Sequence, residues 1–477
     1  MSFVKEFEMI EFLMKHALSM PVSFHMPGHK GSGLYRQFGY GRWLDSFMDC
    51  DITEIPGADN LFQAEDVLKD IQDRYAKLYD CKRSYLLING TSGGLIASIL
   101  ACVPAGKKLI MAKNCHKSIF NALTLGSIEP VYLYPELDET YGIAGAVNPD
   151  EVKKLLAENP DAEAVILPSP NYYGICSDIE QVAEAVHSAG KLLIVDQAHG
   201  AHLHFFHKYG AGAGMPKSAE ASGADIVVGS THKTLASLTQ SAILNLCSDR
   251  VDRYVLEDRL QAVQSTSPSY VLMASLDINA ELLENHGQQL MGQWRENLDR
   301  FYREAAKVKG LKIMKSDMMD DTKINLDMGA YGISGNQLEK LLMKKDIYTE
   351  LNTADILMCM TGIGNTKGDF QKLCAALEEI AAEHRITEKS KTQSRIEIPK
   401  GGKMHPVPEH KEYINLEEAA GRVCAGSIIP YPPGIPFVCP GEEISAETCE
   451  YIRELREAGE KVIGVNDRNK VLVGRKY

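Results

Sequence analysis

Short apolar runs that alternate with helical segments constrain the fold of this chain more than any other feature of its sequence. Parallel strands buried on both faces read as near-continuous apolar runs, and the connections between them usually contain a helix. Such runs occur at residues 84–88, 108–111, 164–167, 191–195 and 225–228. The pattern predicts an α/β fold whose large domain is built on a mostly parallel sheet covered by helices on both faces.

The length of 477 residues exceeds what one core usually fills, so we expect two or three domains. Residues 1–20 have near-helical apolar spacing and are predicted to form a docking helix. From Ala242 the chain is predicted to be a connector that leads into a long helix at 271–306. The predicted units are a large domain at 21–305, a small α+β domain at 306–386, a polar linker at 387–409 and a C-terminal α+β domain at 410–477.

The composition is that of a soluble globular protein and excludes several classes of function. The net charge of −13 argues against a nucleic-acid binder, whose binding surface is basic. The eleven cysteines form no C-x-x-C pair, which indicates reduced thiols rather than a disulfide framework. The first turns carry acids, unlike a signal peptide, and no apolar stretch is long enough to span a membrane. We therefore expect a cytoplasmic protein.

Residues 89–94, Asn-Gly-Thr-Ser-Gly-Gly, follow the first apolar run and precede a helix predicted to begin near Leu95. A glycine-rich, hydroxylated loop before a helix suits an anion, because free N–H groups and the helix dipole point at the ligand. The loop matches neither G-x-G-x-x-G nor the Walker lysine motif, which disfavours a dinucleotide or ATP. A phosphate monoester held by Gly90, Thr91 and Ser92 fits best, and a glycine-rich turn without a ligand is the alternative.

Polar side chains follow three further apolar runs. Asp196 follows its strand directly, so it is expected to be nearly buried and to need a cationic partner, unless it is a solvated turn residue. His116 lies just beyond a strand end, where open α/β sheets bind ligands; it is either a ring-stacking residue or a surface histidine. Lys233 closes a buried run, where desolvation lowers the pKa of an amine and makes it a nucleophile toward carbonyls. Ser230 and His232 stand beside it, where they could hold a phosphate.

Taken in chain order, these groups are the ones that pyridoxal 5′-phosphate requires. Its phosphate needs donors and a helix N-terminus, its ring nitrogen needs a carboxylate, and its aldehyde needs a primary amine. The combination predicts this cofactor, although each group alone is unspecific.

Two histidine-containing stretches are not predicted to bind a metal. His25 and His29 flank a Pro-Gly pair, and we expect this segment to order itself over a site. The histidines at 199, 202, 204 and 207 lack the cysteine partners of a structural zinc site, so packing is the favoured interpretation.

Several motifs resemble those of the Orn/Lys/Arg decarboxylase family. They are Asn-Gly-Thr-Ser at 89–92, Asn-Cys-His-Lys-Ser at 114–118, Asp-Gln-Ala-His-Gly at 196–200, Ser-Thr-His-Lys at 230–233, His-Met-Pro-Gly-His-Lys at 25–30 and Tyr-Pro-Pro-Gly at 431–434. The resemblance spans nearly the whole chain. It implies a pyridoxal-phosphate-dependent enzyme with the aspartate aminotransferase (fold type I) architecture.

The resemblance also implies a role for each matching residue. Lys233 corresponds to the lysine that bonds to the cofactor aldehyde, Asp196 to the partner of the ring nitrogen, and His116 to the residue that stacks on the ring. His199 is expected beside the cofactor. The expected phosphate ligands are Thr91, Ser92, Ser230 and His232.

In this fold the site forms between two copies of the chain, so the resemblance implies a homodimer or a larger homo-oligomer. Thr266 and Ser267 are expected to reach the phosphate of the partner copy. Glu442, at the end of a proline-rich segment, is the first candidate for binding the distal cation of a substrate. The acids of the Pro/Gly-punctuated loop at 51–60 are weaker candidates: Asp51, Glu54 and Asp59.

The implied activity is decarboxylation of a basic L-amino acid in polyamine synthesis, with arginine favoured over lysine and ornithine. Lys233 and His232 are the candidate proton donors to Cα. The chain lacks the N-terminal wing of the longest family members, and it has His199 where those forms often carry an aromatic residue. Both departures are typical of the shorter, biosynthetic branch. The alternatives are another fold-type-I activity, such as an aminotransferase or lyase, and a catalytically silent regulatory homologue.

Overall fold

The computed structural model describes residues 8–353, 355–386, 401–431, 436–457 and 461–475. Its α-helices are α1 (Glu8–Leu18), α2 (Gly33–Gln37), α3 (Gly41–Asp45), α4 (Val67–Leu78), α5 (Gly90–Cys102), α6 (Lys117–Gly126), α7 (Pro149–Glu158), α8 (Ile179–Ser188), α9 (Leu203–Lys208), α10 (Thr231–Thr234), α11 (Arg253–Val263), α12 (Tyr270–Ala305), α13 (Gly335–Met343), α14 (Lys367–Glu383) and α15 (Ala446–Glu457).

The strands follow the same chain order. They are β1 (Val22–Phe24), β2 (Arg83–Leu87), β3 (Lys108–Ala112), β4 (Glu129–Leu133), β5 (Leu137–Asp138), β6 (Ile143–Ala144), β7 (Ala162–Pro168), β8 (Leu192–Asp196), β9 (Ile226–Gly229), β10 (Ala242–Leu246), β11 (Lys312–Ile313), β12 (Lys323–Asp327), β13 (Ile347–Thr349), β14 (Leu351–Thr353), β15 (Ile356–Met360), β16 (Lys411–Asn415), β17 (Ile429–Tyr431), β18 (Lys461–Ile463) and β19 (Lys470–Gly474).

The main sheet has the strand order β2-β10-β9-β8-β7-β3-β4. The strands β4, β3, β7, β8 and β9 are all parallel to their neighbours in this group. The apolar runs 164–167, 193–195 and 226–228 of its central strands are buried, as is expected when helices cover both faces of a sheet. The predicted α/β class with a mostly parallel sheet is confirmed.

Strand β10 corrects the expectation that a connector begins at Ala242. All five residues of the strand are buried, and Ile243 pairs antiparallel with Leu86 on one side and Gly229 on the other. Asn245 interrupts its short apolar run and hides the strand in the sequence. Inside the sheet the Asn245 side chain is hydrogen-bonded, because Ser84 and Glu220 lie within reach.

Helix α5 begins at Gly90, not near Leu95, so the glycine-rich segment is the first turn of the helix itself. Glycine weakens a helix in isolation, but here close packing on the sheet requires it. A Cβ on Gly94 would lie 2.6 Å from the side chain of Leu87 and 2.8 Å from that of Val228. Tertiary packing thus overrides the local preference for a loop.

A second, antiparallel sheet with the order β11-β12-β15-β14 follows the long helix α12. Strand β1 pairs in parallel with β13, which ties the start of the chain to this region. One hydrophobic cluster includes Phe24, Trp294, Leu326 and Phe370, and so joins β1, α12, β12 and α14.

The C-terminal segment forms the antiparallel pairs β16–β19 and β17–β18, packed with α15 around a small apolar core. Most of the predicted linker (387–400) and residues 432–435 of the proline-rich motif lie outside the described residues. The predicted domain boundaries remain predictions. Within the described ranges, no helix combines the length and the apolar character that crossing a membrane requires.

Candidate active site

The cofactor residues expected from one chain converge on one cavity at an edge of the main sheet. Strands β3, β7, β8 and β9 are parallel, and β2 has the same direction because β10 is antiparallel to both β2 and β9. Their carboxyl ends therefore meet at the same edge, where α/β sheets bind ligands. The cavity has a volume of about 360 Å³ and is lined by residues including Gly90, Thr91, Ser92, His116, Asp196, His199, Ser230, His232 and Lys233.

The N-terminus of α5 provides the anion-binding end of the cavity. The first amides of a helix have no partner within it, and the Asn89 side chain, which could cap them, instead donates to the Val263 carbonyl oxygen at 2.9 Å. The hydroxyls of Thr91 and Ser230 lie 3.2 Å apart at this terminus. These amides and hydroxyls are suited to a phosphate group.

Lys233 enters the cavity beside His199. Its Nζ lies 3.0 Å from His199 Nε2. Burial lowers the pKa of Lys233, and the charge of Lys323 lowers it further, while Asp196 and Glu350 oppose the shift. Burial and the Lys233 charge also hold the pKa of His199 well below its ordinary value, so its neutral ring accepts the lysine N–H.

Asp196 ends β8 and is 5% exposed. Its Oδ1 accepts a hydrogen bond from the Ala198 amide at 3.1 Å. Among the described residues no cationic side chain lies within ion-pair distance of its carboxylate. Burial raises the pKa of Asp196, and the charge of Lys233 only partly offsets this. The expected buried aspartate is thus present, without the cationic partner that it needs.

His116 and His232 are both neutral at pH 7, because burial lowers the pKa of each to about 4. His116 is the N-cap of α6, and its Nδ1 accepts from the Ser118 amide at 3.2 Å, which fixes the ring orientation. His232 Nδ1 lies 2.7 Å from the Ser241 carbonyl oxygen, so Nδ1 carries the proton. His232 Nε2 is then an acceptor and cannot donate to a phosphate in this tautomer.

A fully buried charged network lies behind the loop that carries His199 and helix α10, which carries Lys233. Lys323 Nζ donates to the His199 carbonyl oxygen at 2.9 Å and to Asp320 at 3.0 Å. His202 Nε2 contacts the same Asp320 carboxylate at 3.1 Å, and its Nδ1 lies 3.1 Å from the hydroxyl of Thr234, next to Lys233. A carboxylate only accepts, so His202 carries its proton on Nε2 and accepts from Thr234. Through these hydrogen bonds, β12 and the turn before it fix the positions of the His199 loop and of α10.

The segment at 25–30 lies against α10, which carries Lys233. This is the position expected of a segment that is ordered over a site. Gly28 donates to the His232 carbonyl oxygen at 2.7 Å and accepts from the Gly364 amide at 2.9 Å. A Cβ on Gly28 would lie 2.3 Å from the Leu235 carbonyl oxygen, so only glycine fits between these backbones. Met26 lines the cavity itself.

The acids proposed to bind a substrate cation are not in the cavity of one chain. Glu442 is 1% exposed and its two oxygens each lie 3.0 Å from Lys113 Nζ, so its charge is already neutralised. Asp59 accepts four backbone amides of the loop and the following helix. Within a single chain Glu442 and Asp59 therefore have other partners and do not line the cavity, and their contact with a substrate stays a prediction. Asp51 and Glu54 are exposed and do not line the cavity.

Thr266 and Ser267 also lie outside the cavity of their own chain and are exposed between α11 and α12. Their exposure is compatible with contact to a second copy, which stays a prediction.

Sequence reasoning missed a carboxylate beside the cavity, that of Glu350 between β13 and β14. The side chain is 7% exposed and accepts the amide hydrogen of Met26 at 2.9 Å. Its charge raises the pKa of Lys233, which burial lowers more strongly. No local signal could have found it, because the pairing of β1 with β13 brings Met26 and Glu350 together across 324 residues.

The histidine-rich stretch is occupied by packing and hydrogen bonds. His204 contacts Asp80 and Ser218, and His207 Nε2 contacts the carbonyl oxygens of Met215 and Pro216. Within the part of the chain that the structure describes, no group of three or more His, Cys, Asp or Glu side chains could hold a metal ion.

The cavity fits pyridoxal 5′-phosphate. Besides the Asp196 carboxylate, it is lined by Asn114 and His199, whose Oδ1 and Nδ1 atoms are buried and have no hydrogen-bond partner among the residues that the structure describes. A helix N-terminus with two hydroxyls, a neutral histidine, a buried carboxylate and a buried lysine thus surround one space. Fold and site together define a pyridoxal-phosphate-dependent enzyme of fold type I.

Comparisons with known proteins identify the particular family. The family model for the Orn/Lys/Arg decarboxylase major domain matches residues 8–330, and that for the C-terminal domain matches residues 386–469. The chain is 32% identical to arginine decarboxylase of Bacillus subtilis over 95% of this chain and 94% of the relative. It is 31% identical to arginine decarboxylase of Bacillus anthracis, with the same shares covered.

Among solved structures, the constitutive lysine decarboxylase of Escherichia coli superposes with a TM-score of 0.74 at 19% identity. The superposition covers 98% of this chain and 82% of that one. The chain belongs to the Orn/Lys/Arg decarboxylase family, and it is a pyridoxal-phosphate-dependent amino-acid decarboxylase.

Proposed function

We propose that this enzyme decarboxylates L-arginine to agmatine, as a step in polyamine synthesis. The observation that carries the proposal is that Lys233 and the buried carboxylate of Asp196, which has no ion-pair partner among the described residues, line the same cavity. The similarity to two arginine decarboxylases over 95% of the chain supports the choice of arginine. When bound, the cofactor supplies an electron sink for the charge that develops when carbon dioxide leaves.

Each residue that lines the cavity has a separate role in the proposed reaction. Asp196 would hold the ring nitrogen of the cofactor in its protonated form, and the first turn of α5 with Ser230 would bind the phosphate. Lys233, whose pKa burial lowers, provides the amine for covalent attachment and can return a proton to Cα. His199 accepts from Lys233 Nζ and so orients the amine.

Glu350 is our candidate for binding the guanidinium group of the substrate. One carboxylate oxygen accepts the amide hydrogen of Met26, which lines the cavity, and lies 3.7 Å from His25 Nδ1; the carboxylate has further acceptor capacity. The buried carboxylate would also disfavour a substrate with a neutral side chain, because the charge of Glu350 would then remain unpaired.

We further propose that the working form is a cytoplasmic homodimer or larger homo-oligomer. Thr266 and Ser267 are exposed on the loop after α11 and could extend toward the phosphate site of a second copy. All eleven cysteines are free thiols, as is usual for proteins of a reducing compartment.

The test is turnover of the purified, cofactor-loaded enzyme with L-arginine, L-lysine and L-ornithine, measured as agmatine, cadaverine and putrescine. We expect the highest kcat/KM with arginine, and no keto-acid requirement for release of carbon dioxide. A Lys233→Ala variant should keep its far-ultraviolet circular dichroism and lose turnover. Near-wild-type decarboxylation by this variant, or a preference for lysine or ornithine, would contradict the corresponding part of the proposal.

A further inference from the structure

The C-terminal segment reaches the cavity wall through one buried ion pair, between Lys113 and Glu442. The two side chains are 1% and 2% exposed and are separated by 329 residues in sequence. A buried ion pair rarely adds much net stability compared with apolar packing, but loss of one partner leaves the other charge uncompensated. The pair therefore makes the position of each residue strongly dependent on the other.

Glu442 is rigidly held on its own side of the contact. Its oxygens accept the amide hydrogens of Gly402 and Cys439, each at 3.0 Å, and the hydroxyl of Tyr132 lies 3.3 Å away. Its backbone carbonyl accepts from the Cys424 amide at 2.8 Å. The carboxylate is thus a fixed point supplied by the C-terminal segment.

The position of the Lys113 ammonium group depends on the Glu442 carboxylate. Its Nζ lies 4.0 Å from the ring centroid of Tyr132 and 5.9 Å from that of Phe120. Within the described ranges, Glu442 supplies the only carboxylate in ion-pair distance of this ammonium group. Aromatic faces alone do not replace a carboxylate for a fully buried cation.

Lys113 directly precedes the cavity wall in the chain. It follows the last residue of β3 and precedes Asn114 and His116, both of which line the cavity. Its amide donates to the Leu133 carbonyl oxygen at 2.8 Å, so the strand pairing continues to this residue. A displacement of the Lys113 side chain would therefore be transmitted directly to the turn that presents His116.

We propose that Lys113 and Glu442 are positioning residues, through which the C-terminal segment holds Asn114 and His116 in place around the cofactor. The inference rests on the proposed function, because it assigns His116 to the cofactor ring. It gives the C-terminal segment a role in the active site without placing Glu442 on the substrate.

The test measures binding of pyridoxal 5′-phosphate to the full chain by its visible absorbance band, separately from turnover. We expect Glu442→Gln to weaken cofactor affinity by about 10-fold or more and to change the band, because a displacement of about 1 Å can cost up to about 100-fold where a site depends on exact geometry. Lys113→Met leaves the Glu442 carboxylate without its cation but still bonded to the amides of Gly402 and Cys439, so this variant should fold and weaken affinity by a smaller factor. The double variant should bind better than Glu442→Gln alone, because the uncompensated ammonium is gone.

The matched control is Val471→Ala, which opens a gap in the C-terminal core without contacting Lys113. It should lower the stability of the C-terminal segment and leave cofactor affinity unchanged. Wild-type affinity in both Glu442→Gln and Lys113→Met, or equal loss in the control, would overturn the positioning role. If the wild-type chain itself binds no cofactor, the proposed function fails instead.

Discussion

Replacing Asp196 by asparagine should make the cofactor-free protein more stable and the cofactor-bound protein less able to retain its ligand. The carboxylate is 5% exposed, accepts one hydrogen bond from Ala198, and has no cationic side chain in ion-pair distance within the described residues. Asparagine keeps an oxygen for the Ala198 amide and removes the buried charge. We therefore expect opposite effects of one substitution in the two states.

The sign of the pH dependence follows from the direction of the pKa shift. Burial raises the pKa of Asp196, so the folded chain binds this proton more tightly than the unfolded chain does. The contribution of Asp196 to stability is therefore greatest below its unfolded pKa and is lost as the pH rises through its folded pKa. At pH 8 the charged carboxylate is at its most unfavourable, and relief by asparagine should reach about 1–3 kcal/mol.

The assay is urea unfolding of the cofactor-free chain at pH 8, repeated with pyridoxal 5′-phosphate at 100 times the wild-type dissociation constant. This concentration stabilises the wild type by about 2.7 kcal/mol. Loss of a charged hydrogen bond of about 2.7 kcal/mol weakens binding about 100-fold. The same concentration then stabilises Asp196→Asn by only about 0.4 kcal/mol.

Asp225→Asn is the matched control, because Asp225 is equally buried but well paired. It accepts from the Leu193 amide at 2.8 Å and contacts His187 at 3.0 Å, so its substitution should be destabilising. If Asp196→Asn is also destabilising in the absence of cofactor, then the Asp196 carboxylate has a stabilising partner in the folded chain, and the reasoning is wrong. If the cofactor stabilises Asp196→Asn and the wild type equally, the proposed contact between the cofactor and Asp196 is refuted.

Two further substitutions test the surroundings of the site. Lys323→Met leaves the fully buried Asp320 short of its cation and should lower the free energy of unfolding by about 3–5 kcal/mol, measured in urea; a loss within error would show that the network does not depend on that charge. Glu350→Gln should raise KM for arginine by about 10- to 100-fold with a smaller change in kcat, since a hydrogen bond to a charged group contributes about 1.5–3 kcal/mol. Glu339→Gln, on neighbouring α13, is its control and should leave KM unchanged; the same KM in both variants would remove Glu350 from substrate binding.

The strand runs and the residues that follow them could be predicted from the sequence because both depend on local pattern. An apolar strand buried on both faces has a recognisable composition, and parallel strands place their carboxyl ends at one edge. Asp196, His116 and Lys233 each follow such a strand closely, so a shared cavity was foreseeable. Together with the glycine-rich segment these groups predicted the cofactor, and the family motifs added the reaction, which the strand pattern alone does not contain.

Only the tertiary structure decided the contacts between segments far apart in the chain. The role of Gly94 depends on how closely α5 approaches Val228, and β10 is a strand because two others flank its interrupted apolar run. Glu442 was expected at the substrate because it is an acid near a family motif, yet a lysine 329 residues earlier neutralises it. The physical reason is that a buried charge pairs with whichever opposite charge the fold places within a few ångströms. The local sequence does not contain that distance.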